Sequence, residues 1–125
     1  MRDFAIELTD RPGELARVAT ALSRYGVNIK SLAGLATDGH VLVRVLADDV
    51  EAARAALEGA SIRFEEEEIV KVLLDNRAGE LAVVTNKLAE ARVNLRAIYL
   101  TGIVDDLVEL AIVSSDQKKA KAVLG

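Results

Sequence analysis

The sequence predicts an α+β chain: two small plaits in tandem, each an antiparallel sheet with its helices on one face. Three observations carry this. Residues 10–28 recur at 76–94, with Arg11, Gly13, Glu14, Leu15, Ala16, Val18, Leu22, Val27 and Asn28 repeated as Arg77, Gly79, Glu80, Leu81, Ala82, Val84, Leu88, Val93 and Asn94. Around each copy, apolar residues switch between strand and helix period in one order, β-α-β-β-α. Hydrophobic content of 51% with 29% charged residues belongs to a folded, globular chain.

The elements follow in order. Phe4, Ile6 and Leu8 alternate with Ala5, Glu7 and Thr9, so residues 3–9 read as a strand with one buried face. Asp10-Arg11-Pro12-Gly13 turns the chain. Pro12 suits a first helical position, and Asp10 can accept hydrogen bonds from the free amides there. Leu15, Val18, Ala19 and Leu22 form one stripe on a helix of about 12 residues. Gly26 closes it. Residues 27–36 make a second strand. Asp38-Gly39 is a two-residue hairpin turn, and Val41–Leu46 returns as a third strand. Asp48-Asp49 caps a helix from Val50 to Leu57, ending at Gly59.

A short strand at Ser61–Phe64 is expected to run nearly straight into the next copy. Glu65-Glu66-Glu67-Glu68 then reads as a solvated edge or linker. The second copy gives strands at 69–74, 94–102 and 107–113 and helices at 79–91 and 116–124. It lacks the sixth element. The expected domains are therefore 1–65 and 66–125, the second incomplete at its C-terminus. This element order defines a ferredoxin-like plait, a split β-α-β arrangement. The third strands are apolar on both sides: Val41, Val43 and Val45 alternate with Leu42 and Leu46, and Val108, Leu110 and Ile112 with Leu107 and Ala111. The open sheet face is thus expected to pack on another surface, most economically a second copy of the chain.

Composition excludes several classes. The net charge of −4, with two Phe and two Tyr, disfavours a nucleic-acid partner. No apolar run approaches the ~20 residues that cross a bilayer, and the N-terminus enters a strand pattern at once, so a cytoplasmic location is expected. The absence of cysteine fits a reducing compartment. His40 is the one histidine, which leaves no His/Cys metal site and no Ser-His-Asp set. No phosphate-binding glycine loop is present. Neither an enzyme nor a cofactor is indicated.

The repeated turn remains. A helix start offers free N–H groups and the positive end of a dipole, and Gly13 and Gly79 let a ligand approach the backbone. Asn28 and Asn94 can donate and accept, which suits a zwitterion. The second strand is expected to lie beside the first, bringing the 10–13 turn near Asn28. The same residues also read as ordinary caps and turn residues.

Asp10-Arg-Pro-Gly-Glu-Leu-Ala with Gly-Val-Asn28-Ile, and Asn76-Arg-Ala-Gly-Glu-Leu-Ala with Val-Asn94-Leu, closely resemble the ACT domain, twice over and across the whole chain. The resemblance implies the plait, pairing of domains through sheet faces or edges, and small amino acids bound at ACT–ACT interfaces near the first turn. In serine-sensing members a turn Asn and a second-strand Asn hold the effector. Those positions fall on Asn76 and Asn94, flanked by Arg77, Ala78 and Gly79, and on Asp10 and Asn28, flanked by Arg11, Pro12 and Gly13. The chain departs from that pattern. Leu8 and Leu74 stand where those members have His, Ala78 replaces the usual proline, and Asp10 would repel a carboxylate.

The expected function is therefore a non-catalytic, amino-acid-binding regulatory protein, homodimeric, with an enzyme partner possible. The Asn76/Asn94 site is favoured. Three alternatives stand beside it: the regulatory subunit of a biosynthetic enzyme such as acetohydroxyacid synthase, a transcriptional co-regulator acting through a protein, and a plait that only makes dimers.

Overall fold

The computed structural model describes residues 1–125 and divides the chain into two compact units, Arg2–Glu67 and Met1 with Glu68–Gly125. In the first unit the elements are β1 (Arg2–Thr9), α1 (Glu14–Arg24), β2 (Ile29–Thr37), β3 (His40–Ala47), α2 (Val50–Gly59) and β4 (Glu65–Glu68). The second follows with β5 (Val70–Asp75), α3 (Glu80–Glu90), β6 (Leu95–Val104), β7 (Leu107–Ser114) and α4 (Gln117–Leu124). Both units are α+β plaits.

The first sheet has the order β2-β3-β1-β4 and the second β5-β7-β6. In each, the third strand of the unit lies between the first and the second. Phe4 pairs with Val45 and Thr9 with His40, while Thr37 pairs with His40 and Ile29 with Ala47. The expected adjacency of the first two strands is therefore corrected. The crossover through α1 leaves one strand-width free, and the tight β2–β3 hairpin fills it. Asp38 and Gly39 at that hairpin both have positive φ, 48° and 81°, the backbone that a two-residue turn requires.

Even-numbered residues of β1 and odd-numbered residues of β3 face the helices. Phe4, Ile6, Leu8, Val43 and Val45 pack with Val18, Ala21 and Leu22 of α1 and Ala53, Ala56 and Leu57 of α2. The second core is smaller and centres on Val84, Leu88, Val93, Ile112 and Ala120. Leu110 pairs with Val72, a residue packed on that core. Because cross-strand partners share a face, Leu110 belongs to the helix side. The opposite faces are less apolar than the sequence suggests. On the first, Arg44 lies between Leu42 and Leu46 and binds Asp3 at 3.1 and 3.2 Å and Glu67 at 3.1 Å; Asp3 and Arg44 are buried. On the second, Glu109 accepts from Thr101 at 2.8 Å and pairs with Lys71 at 3.2 Å. Each unit has one tyrosine: Tyr25, exposed at the C-cap of α1, and Tyr99, buried in β6.

The glutamate run is itself the edge strand, and Ser61–Phe64 is not a strand. Glu66 binds Arg54, and it also binds Arg2 at 3.1 Å. With Glu67 on Arg44, two of the four carboxylates are largely covered, their side chains 14% and 15% exposed. Arginines from β1, β3 and α2 thus make β4 an ion-paired strand rather than a solvated linker. The Arg54 hydrogen bond, then the charges of Arg54 and Arg2, outweigh burial and hold the Glu66 carboxyl below its usual range. A lowered folded pKa gives stability that is present above the ordinary carboxylate pKa and lost as pH falls through the lowered one. Glu66→Gln should therefore lower Tm by several degrees at neutral pH and much less in strong acid, where the wild-type carboxylate is protonated. Melting curves across that range check it, and an equal loss at both ends would assign the effect to shape rather than charge.

Candidate functional site

The two repeated turns are built alike. After β1, the Asp10 N–H donates to Gly39 O at 2.9 Å, and after β5 the Asn76 N–H donates to Asp106 O at 2.6 Å. The Arg11 and Arg77 amides then close on Thr9 O and Asp75 O, both at 2.9 Å. Helices α1 and α3 begin at Glu14 and Glu80, with Gly13 and Gly79 as N-caps at φ 90° and 92°. No side chain caps either helix. Pro12 is therefore not the first helical residue, and Asp10 does not cap: the left-handed glycine intervenes and makes the last sharp bend. It leaves the leading amides of each helix uncapped by side chains, at an exposed corner.

The repeated Arg and Glu explain each other. Arg11 lies 3.6 Å from Glu14, and Arg77 donates to Glu80 at 2.6 Å and lies 3.3 Å from Asp75. These one-turn pairs put a carboxylate in the first helical turn, where the dipole favours it. The hydrogen bond to Glu80, then the charges of Glu80 and Asp75, raise the Arg77 guanidinium further above its already high value.

Asn28 and Asn94 are fixed through their backbones. The Asn28 N–H donates to Asp48 Oδ1 at 3.0 Å, and Asn28 O accepts from the Asp48 N–H at 3.1 Å. In the second unit Ser115 takes the aspartate's place: the Asn94 N–H donates to Ser115 Oγ at 3.0 Å, and Asn94 O accepts from the Ser115 N–H at 2.8 Å. The next residues, Asp49 and Asp116, cap α2 and α4 by accepting from Ala52 N and Lys119 N. Each asparagine thus opens its strand locked to the start of a helix, with its carboxamide at an exposed position.

Within a unit these pieces do not meet. The turn follows the end of β1, level with the β2–β3 hairpin, whereas Asn28 precedes Ile29, which pairs with Ala47 at the far end of β3. The registers place them about five strand residues apart, roughly 17 Å. The second unit repeats this, with Asp75 opposite Leu107 and Leu95 opposite Ser114. The expected approach of turn and asparagine at one sheet end is corrected. Asp10, Arg11, Pro12 and Gly13 form one corner and Asn28 another, and Asn76, Arg77, Ala78 and Gly79 are likewise separated from Asn94.

Reasoning from sequence missed the apolar surface that joins the two corners. Leu32 and Ile98 hold equivalent places on β2 and β6 and pair with Val45 and Ile112. They therefore face the helix side, yet they are 46% and 39% exposed, and Leu15 and Leu81, at the starts of α1 and α3, are 45% and 50% exposed. The repeat of Leu15 as Leu81 signalled it, although helical spacing assigned those leucines to the core. No group of three or more His, Cys, Asp or Glu side chains converges as a cation site, and no helix is long and apolar enough to cross a membrane.

The architecture defines a class, the β-α-β-β-α-β plait with an uncapped, glycine-led first helix. The ACT domain family's sequence model matches residues 4–58, and the chain belongs to that family through this first unit. Among curated proteins, a class 1 fructose-1,6-bisphosphatase of Cereibacter sphaeroides is 41% identical over 92 residues, covering 66% of this chain. The match spans 26% of that protein's length. Solved structures share the fold across nearly the whole chain. A protein of Bacteroides thetaiotaomicron superposes with a TM-score of 0.88 at 22% identity, over 98% of this chain and 85% of its own. The regulatory subunit of aspartate kinase from Thermus thermophilus gives 0.66 at 18% identity, over 98% and 88%. A structure of aspartokinase alpha and beta subunits gives 0.68 at 17%, with the same coverage.

The turn geometry has a direct test. A side chain at φ near 90° is strained whatever the free space, so Gly13→Ala or Gly79→Ala should cost ~1–3 kcal/mol. Gly102→Ala, in β6 with nothing within 4 Å of an added Cβ, should be close to neutral. Denaturant unfolding of the three variants measures this, and equal stabilities would remove the glycine argument.

Proposed function

We propose that this chain is a non-catalytic regulatory protein made of two ACT units, 1–65 and 66–125, which binds a small amino acid where two ACT units meet. One observation carries the reading: the same two polar corners, joined by the same exposed apolar strip, occur in both units. The family supports small-molecule regulation, and one fold relative is named as a regulatory subunit of aspartate kinase. The bisphosphatase match spans about a quarter of that protein and brings no activity with it.

The separation of the corners says how such a site would be completed. If β2 of a second copy lies antiparallel beside β2, its start comes level with the end of the first. Asn28 of one unit then meets the Asp10–Gly13 turn of the other, and Asn94 meets Asn76–Gly79 in the same way through β6. That contact would bury Leu15 and Leu32, or Leu81 and Ile98, which gives the exposed strip a use. The uncapped helix amides take the carboxylate of the ligand, and the asparagine carboxamide takes its ammonium group. The pair with Asn76 is favoured because Asp10 repels a carboxylate.

A thermal-shift screen against the twenty amino acids tests the binding. A ligand of the native state adds about 2.7 kcal/mol at one hundred times Kd, several degrees in a chain of this size. Asn94→Ala should abolish the shift and leave the unliganded Tm within a few degrees. A flat screen would sink amino-acid sensing and leave the regulatory-subunit reading, for which co-purification with a large enzyme is the measurement. The pairing has its own check: Leu32→Glu with Ile98→Glu should convert a dimer to monomer in sedimentation velocity, and an unchanged profile would place the contact elsewhere.

A further inference from the structure

The second sheet ends at β5, whose one strand neighbour is β7. Along that edge runs a groove of 570 Å³ between the start of β5 and one side of α4, with Val70, Lys71, Lys118, Lys121 and Leu124 in its walls. Glu68 is the one acidic side chain among the lining residues. Lys71 already shares Glu109, whereas Lys118 and Lys121 take part in no ion pair.

The first unit shows what such an edge accepts. Val70 corresponds to Phe4, and the shared aspartate caps Asp49 and Asp116 align α4 with α2, so Leu124 stands where Leu57 stands and Lys121 where Arg54 stands. There, the chain's own residues 62–67 cover the place. The Ile62 N–H donates to Leu57 O at 2.9 Å, Phe64 meets Phe4 edge-on at 5.4 Å, β4 lies beside β1, and Glu66 binds Arg54. The cover is an extended segment with apolar residues two apart, followed by carboxylates. Under it Phe4 and Leu57 are fully buried. Val70 and Leu124 are only partly so.

We propose that the edge of β5 and this groove dock an extended acidic strand of a partner protein. The strand adds to the sheet by backbone hydrogen bonds, lays alternate apolar side chains over Val70 and Leu124, and sets a carboxylate on Lys121 as Glu66 is set on Arg54. Charge complementarity selects the occupant: two unpaired lysines flank a groove whose first-unit counterpart is closed by glutamates.

The test titrates the full chain with a labelled peptide copying residues 61–68, Ser-Ile-Arg-Phe-Glu-Glu-Glu-Glu, and follows fluorescence anisotropy. Saturable binding is expected, weakened at least tenfold by Lys121→Glu and equally by exchanging the peptide's glutamates for lysines. Lys121 is exposed, so that variant should fold, and its melting curve confirms this. No binding at millimolar peptide, or equal binding of the lysine peptide, overturns the proposal. So does a peptide that binds only by dissolving a dimer in sedimentation, since the occupant would then be a second copy of this chain.

Discussion

The third strand of each unit, held between the first and the second, is the constraint on which the rest depends. It takes hydrogen bonds on both edges, so the core closes around it: Val43 and Val45 are almost fully buried, and Ile112 is completely so. It also fixes distances. A helix that starts beyond one end of the first strand returns the chain to the other end, and the second strand starts there. The repeated turn and the repeated asparagine are thereby assigned to opposite corners, whatever their side chains prefer. Any ligand that needs both must find the second corner on another unit.

Most of the repeated polar residues prove to have structural work. Gly13 and Gly79 occupy a backbone that other residues avoid. Arg11 with Glu14, and Arg77 with Glu80, form one-turn ion pairs at exposed positions, where such pairs contribute little stability but hold the first turn in register. The asparagine backbones tie each second strand to the residue before a helix cap. What structure does not consume is the carboxamide at each corner, together with the helix amides opposite in type. Those groups carry the proposed chemistry.

How far this was legible follows the range of each interaction. The hairpin at Asp38-Gly39 and the cap at Asp49 were readable because they depend on a few consecutive residues. The start of α1 was misread by two residues, since Pro12 and Asp10 satisfy the rules for a cap and only the φ of Gly13 decides against them. The glutamate run misled for another reason. Its charge is neutralised by Arg2, Arg44 and Arg54, which lie far away in sequence and gather only when the sheet forms. Strand order and the exposed strip of Leu32 and Ile98 are also products of long-range pairing. No local pattern encodes which apolar residues will remain uncovered.

The distribution of aromatic rings gives the two units different optical signatures. The chain has no tryptophan, and its tyrosines are divided one to a unit. Tyr25 is 51% exposed in the folded first unit, whereas Tyr99 is 9% exposed in the second. Unfolding moves Tyr99 from a packed interior into water and changes the surroundings of Tyr25 far less. The near-ultraviolet signal of this protein therefore follows the second unit almost alone, and the first can melt with little spectroscopic trace.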